Sequence, residues 1–150
     1  MRTLRLLTSL LIGLCLAGVA AAECGDPPED AREYVREHTV DHFNGNPPSQ
    51  EKDTLALWES SSGDRRFSLC SVGPNYHTCF VEGGLKEVSP GKLLFELGGC
   101  TLMIERKGSS QVLTASPGWE RAGAGGVCPR QISCGAFGSV ESGEFIPSEE

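Results

Sequence analysis

Residues 92–115 read KLLFELGGCTLMIERKGSSQVLTA, and this stretch decides the fold. Three short runs, Lys92–Leu97, Cys100–Arg106 and Gln111–Ala115, are punctuated by Gly98-Gly99 and by Lys107-Gly108-Ser109-Ser110. Runs this short, separated by glycine and serine, are strands joined by tight turns, because only such residues accept the backbone angles a hairpin turn demands. Upstream, Ser89-Pro90-Gly91 is a further turn, and Tyr76–Glu82 is a strand ended by Gly83-Gly84. Arg66–Ser71 is a strand in which Phe67 and Leu69 alternate with Ser68, followed by the turn Val72-Gly73-Pro74-Asn75. Thr54–Glu59 is another, with Ser60-Ser61-Ser62-Gly63-Asp64 turning after it. Downstream, Gly118 to Gly126 is a glycine-rich loop, and strands near Ile132 and Phe137 close the domain. Turns recurring every 8–12 residues or so predict a small antiparallel β-barrel or sandwich, with sequential hairpins forming a meander.

Before Thr54 the pattern differs. Asp26-Pro27-Pro28-Glu29 has the form of a helix start, with Asp26 as cap, Pro27 in the first position and Glu29 at the capping-box position. Ala31, Tyr34, Val35 and His38 then fall at helical spacing. The expectation is a helix ending near Phe43, then a break at Asn44-Gly45-Asn46-Pro47-Pro48. Residues 23–53 are thus expected to be an acidic helix with a proline-rich linker, and 54–150 a disulfide-linked β-domain.

Met1–Ala22 has the layout of a secretory signal. Arg2 and Arg5 lie ahead of the apolar run Leu6–Ala17, and Ala20-Ala21-Ala22 supplies small residues for cleavage. Cleavage after Ala22 leaves 128 of 150 residues and removes Arg2, Arg5 and Cys15, so the net charge moves from −7 to −9 and seven cysteines become six. The expected location is periplasmic or secreted, with no membrane anchor after cleavage. So acidic a chain is a poor partner for nucleic acid or an anionic bilayer. Glu23 to Asp64 carries 11 acidic and 3 basic residues, so the acidity belongs to the N-terminal segment.

Cys24, Cys70, Cys79, Cys100, Cys128 and Cys134 remain after cleavage. An even count in an exported chain reads as disulfides. No C-x-x-C occurs, which argues against a zinc knuckle and a redox pair alike. Spacing does not select among about 15 pairings; the pairing taken forward is Cys24–Cys70, Cys79–Cys134 and Cys100–Cys128.

Motifs of catalysis are missing: no G-x-S-x-G, H-E-x-x-H, Walker or EF-hand pattern occurs. No cofactor is implied, and Gly123-Ala124-Gly125-Gly126 lacks the βαβ setting of a nucleotide loop. His38 and His42, four apart, would share a helix face and so have metal-ligand spacing. Against that, His38 falls on the apolar stripe and His42 near a fraying end, so no metal site is assigned. His77 reads as a strand residue, since nothing local supplies a nucleophile and an orienting carboxylate.

One resemblance spans about half of the chain. Asn75-Tyr76-His77-Thr78-Cys79, Gly83-Gly84-Leu85 and Gly99-Cys100-Thr101-Leu102-Met103-Ile104 lead to Cys128, Cys134-Gly135, Phe137 and Phe145. This layout resembles small exported bacterial β-barrel domains that include lysozyme-inhibitor-like proteins. The resemblance implies a non-enzymatic protein whose serine- and glycine-rich loop enters the cleft of a basic, lysozyme-like hydrolase. Ser60, Ser61, Ser62, Gly63, Asp64, Arg65 and Arg66 are the matching segment, without the further glycine, the lysine and the tyrosine of the inhibitor pattern. Serine hydroxyls and an arginine suit the carboxylates of such a cleft. A generic exported interaction protein and a small hydrolase with an unrecognised site are the competing expectations.

Overall fold

A computed structural model of the chain describes residues 24–43, 45–119, 128, 133–134 and 139–149. Met1–Ala22, expected to be a secretory signal, most of the glycine-rich loop, Ile132 and Phe137 lie outside the described residues. Among the described residues ten strands follow one another: β1 (Arg32–Val40), β2 (Ser49–Glu59), β3 (Arg65–Val72), β4 (Thr78–Gly84), β5 (Lys86–Ser89), β6 (Lys92–Leu97), β7 (Cys100–Lys107), β8 (Ser110–Ala115), β9 (Ser133–Cys134) and β10 (Gly143–Pro147). They form one antiparallel sheet in the order β5-β6-β7-β8-β10-β1-β2-β3-β4-β9. β4 pairs with β3, β5 pairs with β6, and only Leu85 stands between β4 and β5. One bent strand therefore joins the two sides of the sheet, and the result is a nearly closed barrel.

Gly83-Gly84, expected to end the strand, is part of that bent strand. A Cβ on Gly83 would lie 2.5 Å from the Phe95 ring. The glycine is there so that the strand can cross over an aromatic core residue, which is a packing demand and not a reversal of chain direction.

The expected N-terminal helix is a strand. β1 pairs with β2 from Arg32↔Leu57 to Val40↔Ser49, and with β10 through Tyr34↔Pro147 and Val35↔Ile146. Tyr34, Arg36, His38 and Val40 share one face of β1, so its true period is two. Two of those four residues are polar, which hid the alternation. Asp53 is the cause: it is fully buried on β2, directly opposite Arg36, and gives both Arg36 and His38 a partner inside the barrel. The Pro47-Pro48 segment belongs to the β1–β2 connection, so the acidic segment is woven into the sheet.

The barrel interior is apolar over most of its length. Tyr34, Leu55, Phe67, Leu69, Val81, Phe95, Leu102, Ile104, Leu113 and Phe145 are buried there, with Trp119 and Val140 joining the same core. Each such side chain contributes roughly 1.5–3 kcal/mol on burial. The Trp119 indole N–H donates to the Thr101 carbonyl at 3.0 Å, which satisfies its one polar atom. Three disulfides join Cys24 to Cys70, Cys79 to Cys134 and Cys100 to Cys128, the pairing taken forward from the sequence. Cys128 and Cys134 staple the long connection between β8 and β10 onto β7 and β4. Three bridges fit an oxidising compartment.

Because neighbouring strands alternate in direction, the turns sort to two ends. The β2–β3, β5–β6 and β7–β8 turns lie at one end, here the lower. The β1–β2, β3–β4 and β6–β7 connections lie at the other, the upper end.

Candidate functional site

The lower end holds the segment expected to bind a partner. Ser60–Asp64 is a tight turn closed by Ser60 N–H to Asp64 O at 2.8 Å and Gly63 N–H to Ser60 O at 2.8 Å. Gly63 has φ of 82°, the left-handed region in which a Cβ is penalised. A second set of bonds runs through side chains. Asp64 N–H donates to Ser60 Oγ at 3.1 Å, Ser60 and Ser62 share a bond of 2.8 Å, and Ser62 Oγ donates to Asp64 Oδ2 at 2.6 Å. Residues 61–64 are exposed. The turn is thus an exposed, self-braced continuation of the β2–β3 ladder.

The same bonds revise the roles of its residues. The hydroxyls of Ser60 and Ser62 are engaged inside the turn. Arg65 Nη1 lies 3.1 Å from Glu87 on β5. That leaves Ser61, the Gly63 carbonyl and Arg66, which sits opposite Trp58 on β2, as the groups of the segment not engaged in these bonds. Nearby cations stand beside acids: Lys92 lies 3.1 Å from Glu105, and Lys107 lies 3.9 Å from Glu144.

The upper end was not singled out in the sequence, and it carries the more unusual geometry. It begins inside the barrel at Asp53. Both Arg36 Nε and Nη2 donate to Asp53 Oδ2, His38 Nε2 donates to Oδ1 at 3.1 Å, and Val72 N–H donates to Oδ1 at 2.8 Å. Four donors on one buried carboxylate leave no lone pair region without a partner. Arg36 also donates to the carbonyls of Glu141 and Ser142 at 3.2 and 3.0 Å, and its guanidinium sits 5.3 Å from the Phe145 ring centre. The pair therefore ties β1, β2, β3 and β10 together.

A second chain of bonds continues to the rim. Asn75 N–H donates to His42 Nδ1 at 2.8 Å, so the proton of the neutral ring resides on Nε2. His42 Nε2 donates to Ser49 Oγ at 2.9 Å, and Ser49 Oγ donates to Glu51 Oε1 at 2.5 Å. Phe43 N–H donates to Asn75 Oδ1 at 3.2 Å. These bonds hold the short 3₁₀ turn Pro74–Tyr76, in which Asn75 and Tyr76 have φ of 55° and 59°. Two successive side-chain-bearing residues in the left-handed region are costly, about 1–3 kcal/mol each, and a bulky one such as tyrosine is rarer there than asparagine. The turn presents Tyr76 at 54% exposure, its ring tilted against His42 with centroids 4.6 Å apart, and Phe43, whose N–H bonds Asn75, is 73% exposed.

This geometry replaces the metal-ligand spacing of His38 and His42. On a strand and its extension the two rings have separate partners, Asp53 and Ser49. Among the described residues no group of three or more metal-ligating side chains occurs. The Ser49–His42 contact is not a nucleophile with its base either, because the imidazole donates to the hydroxyl and the hydroxyl proton goes to Glu51. His77 closes the β3–β4 turn through its backbone: Gly73 N–H donates to its carbonyl at 2.8 Å.

The ends also differ in charge. In the lower half Arg65, Arg66, Lys92, Arg106 and Lys107 are mixed with Glu59, Asp64, Glu87 and Glu105, so the two signs are near balance. In the upper half, among the described residues, Lys52 is the one lysine or arginine besides Arg36, against Glu37, Asp41, Glu51, Glu96 and Glu141. No protein-family model, curated relative or solved structure matches the chain.

Proposed function

We propose that this is an exported, non-enzymatic binding protein whose Ser60–Arg66 turn enters the cleft of a basic, lysozyme-like cell-wall hydrolase and blocks it. The observation that carries the reading is the self-braced turn at the lower end. An element that enters a cleft must hold its shape as it does so. A turn already fixed by its own hydrogen bonds loses little conformational entropy on binding. Arg66 supplies a planar, bidentate partner for a cleft carboxylate, and Ser61 with the Gly63 carbonyl supplies hydrogen bonds at the apex.

The test is turnover of a bacterial cell-wall suspension by a c-type lysozyme, with and without the oxidised protein. Inhibition at micromolar protein that weakens as salt rises is the expected result, with Arg66→Ala weakening it tenfold or more. Unchanged turnover at micromolar excess and low salt overturns the reading.

A further inference from the structure

We infer that the upper end of the barrel is a second docking surface, which takes an arginine-bearing loop or peptide of a basic partner. The guanidinium stacks on Tyr76 and Phe43 and pairs with the Asp41 carboxylate. This goes beyond the hydrolase-blocking role, which sits at the opposite end.

Three observations point the same way. First, two aromatic side chains are displayed on a backbone that would relax if it were free to do so. Asn75 and Tyr76 are kept at φ of 55° and 59° by the bonds from His42 and Phe43, so the ring positions are set before any partner arrives. Rigid exposed aromatics are the usual anchors of protein interfaces, because little entropy is lost when they are covered. Second, the charge around them is acidic. Asp41 directly precedes His42 and is exposed, and Glu51 lies on the same hairpin, whereas Glu37 sits opposite Lys52. A π face beside a carboxylate attracts a cation twice over. Arginine suits it better than lysine, since a planar guanidinium stacks while an ammonium does not. Third, several polar side chains of this surface are already engaged with one another. Asn75 Oδ1, both ring nitrogens of His42 and the Ser49 hydroxyl bond to one another or to backbone within the turn. The turn displays the Tyr76 ring with its hydroxyl, beside the exposed Asp41 carboxylate.

The experiment is a titration of the isotope-labelled, oxidised protein with an octa-arginine peptide at low salt, followed by amide chemical shifts. Shifts concentrated in residues 41–49 and 73–78 are expected, with octa-lysine binding at least threefold more weakly. Tyr76→Ala and Asp41→Asn each lower the octa-arginine affinity about threefold to tenfold, while Tyr76→Phe keeps it. Arg66→Ala leaves it unchanged, which separates this surface from the lower turn. Shifts spread evenly over the barrel, or centred on residues 60–66, overturn the proposal. So does a Tyr76→Ala protein with a dispersed spectrum and undiminished affinity. A chito-oligosaccharide that shifts residues 41–49 and 73–78 where octa-arginine does not overturns it in favour of a glycan.

Discussion

The two ends of this barrel solve the same problem, reversing a chain between antiparallel strands, and at one upper turn the residues used are different. At the lower end the reversals use Gly63, Gly91 and Gly108, all at positive φ, where the missing Cβ removes the penalty. At the upper end Gly45 and Gly98-Gly99 do the same in the β1–β2 and β6–β7 connections, but the β3–β4 turn puts Asn75 and Tyr76 into that region of backbone space. Inside the barrel the contrast repeats. Towards the lower end the interior is hydrocarbon and aromatic, whereas towards the upper end it holds Arg36, His38 and Asp53. A sheet this regular does not need a buried carboxylate or a left-handed tyrosine in order to close. Features that oppose stability and persist are where function is sought.

The largest test of that contrast is Asp53. Asp53→Ala leaves the Arg36 guanidinium, 13% exposed, with no carboxylate, and frees the Val72 N–H and His38 as well. The expected loss is about 3–5 kcal/mol, read as a lower urea midpoint. Replacing the pair together, Arg36→Met with Asp53→Leu, removes both charges and is expected to restore most of that loss. If the double variant is as unstable as the single one, the upper interior is shaped by packing and the charges are incidental.

The same residues explain what could be read from the sequence. β6, β7 and β8 fall where Lys92–Leu97, Cys100–Arg106 and Gln111–Ala115 predict them, because their turns are marked by glycine and serine and their inward residues are apolar. β2 and β3 are found too, each extended at its ends, since hydrogen-bond pairing runs past the last apolar residue. β1 is lost to a helix because Arg36 and His38 occupy inward positions. Only the presence of Asp53 seventeen residues on makes inward polar residues affordable. β5 and β10 are missed because they lie across a bend: Leu85 divides β4 from β5, and β10 divides its five residues between β8 and β1. For the sites, a serine- and glycine-rich turn is visible in one dimension. The upper surface is not, because it is assembled from two turns thirty or so residues apart, one holding His42 and the other Asn75, and its signal is a backbone angle.

The disulfides give the next largest effect and separate the core from its coat. Cys100 and Cys128 are both buried, and they anchor the β8–β10 connection. Replacing both by serine is expected to cost about 2–4 kcal/mol, measured by thermal or urea unfolding. Cys24–Cys70 attaches the segment before β1 to the half-buried outer side of β3. Its removal is expected to leave the octa-arginine shifts at residues 73–78 unaltered, and a change there would join the N-terminal segment to the upper surface.

The smallest effects are the most discriminating between the two turns. Gly63→Ala meets nothing within 4 Å, so its cost is backbone conformation alone, about 1 kcal/mol. Tyr76→Gly runs the other way. It releases left-handed strain but gives up the ring contact with His42, worth about 0.5–1.5 kcal/mol, so the midpoint is expected to stay level or rise slightly. Tyr76→Val keeps the strain, adds a β-branch and loses the ring contact, and is expected to fall about 1–2 kcal/mol below the glycine variant. The ordering matters more than any one value. A Tyr76→Gly protein that is at least as stable as the parent, yet binds octa-arginine poorly, means the tyrosine is kept for what it touches outside the barrel. A Tyr76→Gly protein that loses stability as severely as the valine variant means the ring is part of the fold's own packing, and the upper end then has no claim to differ in kind from the lower.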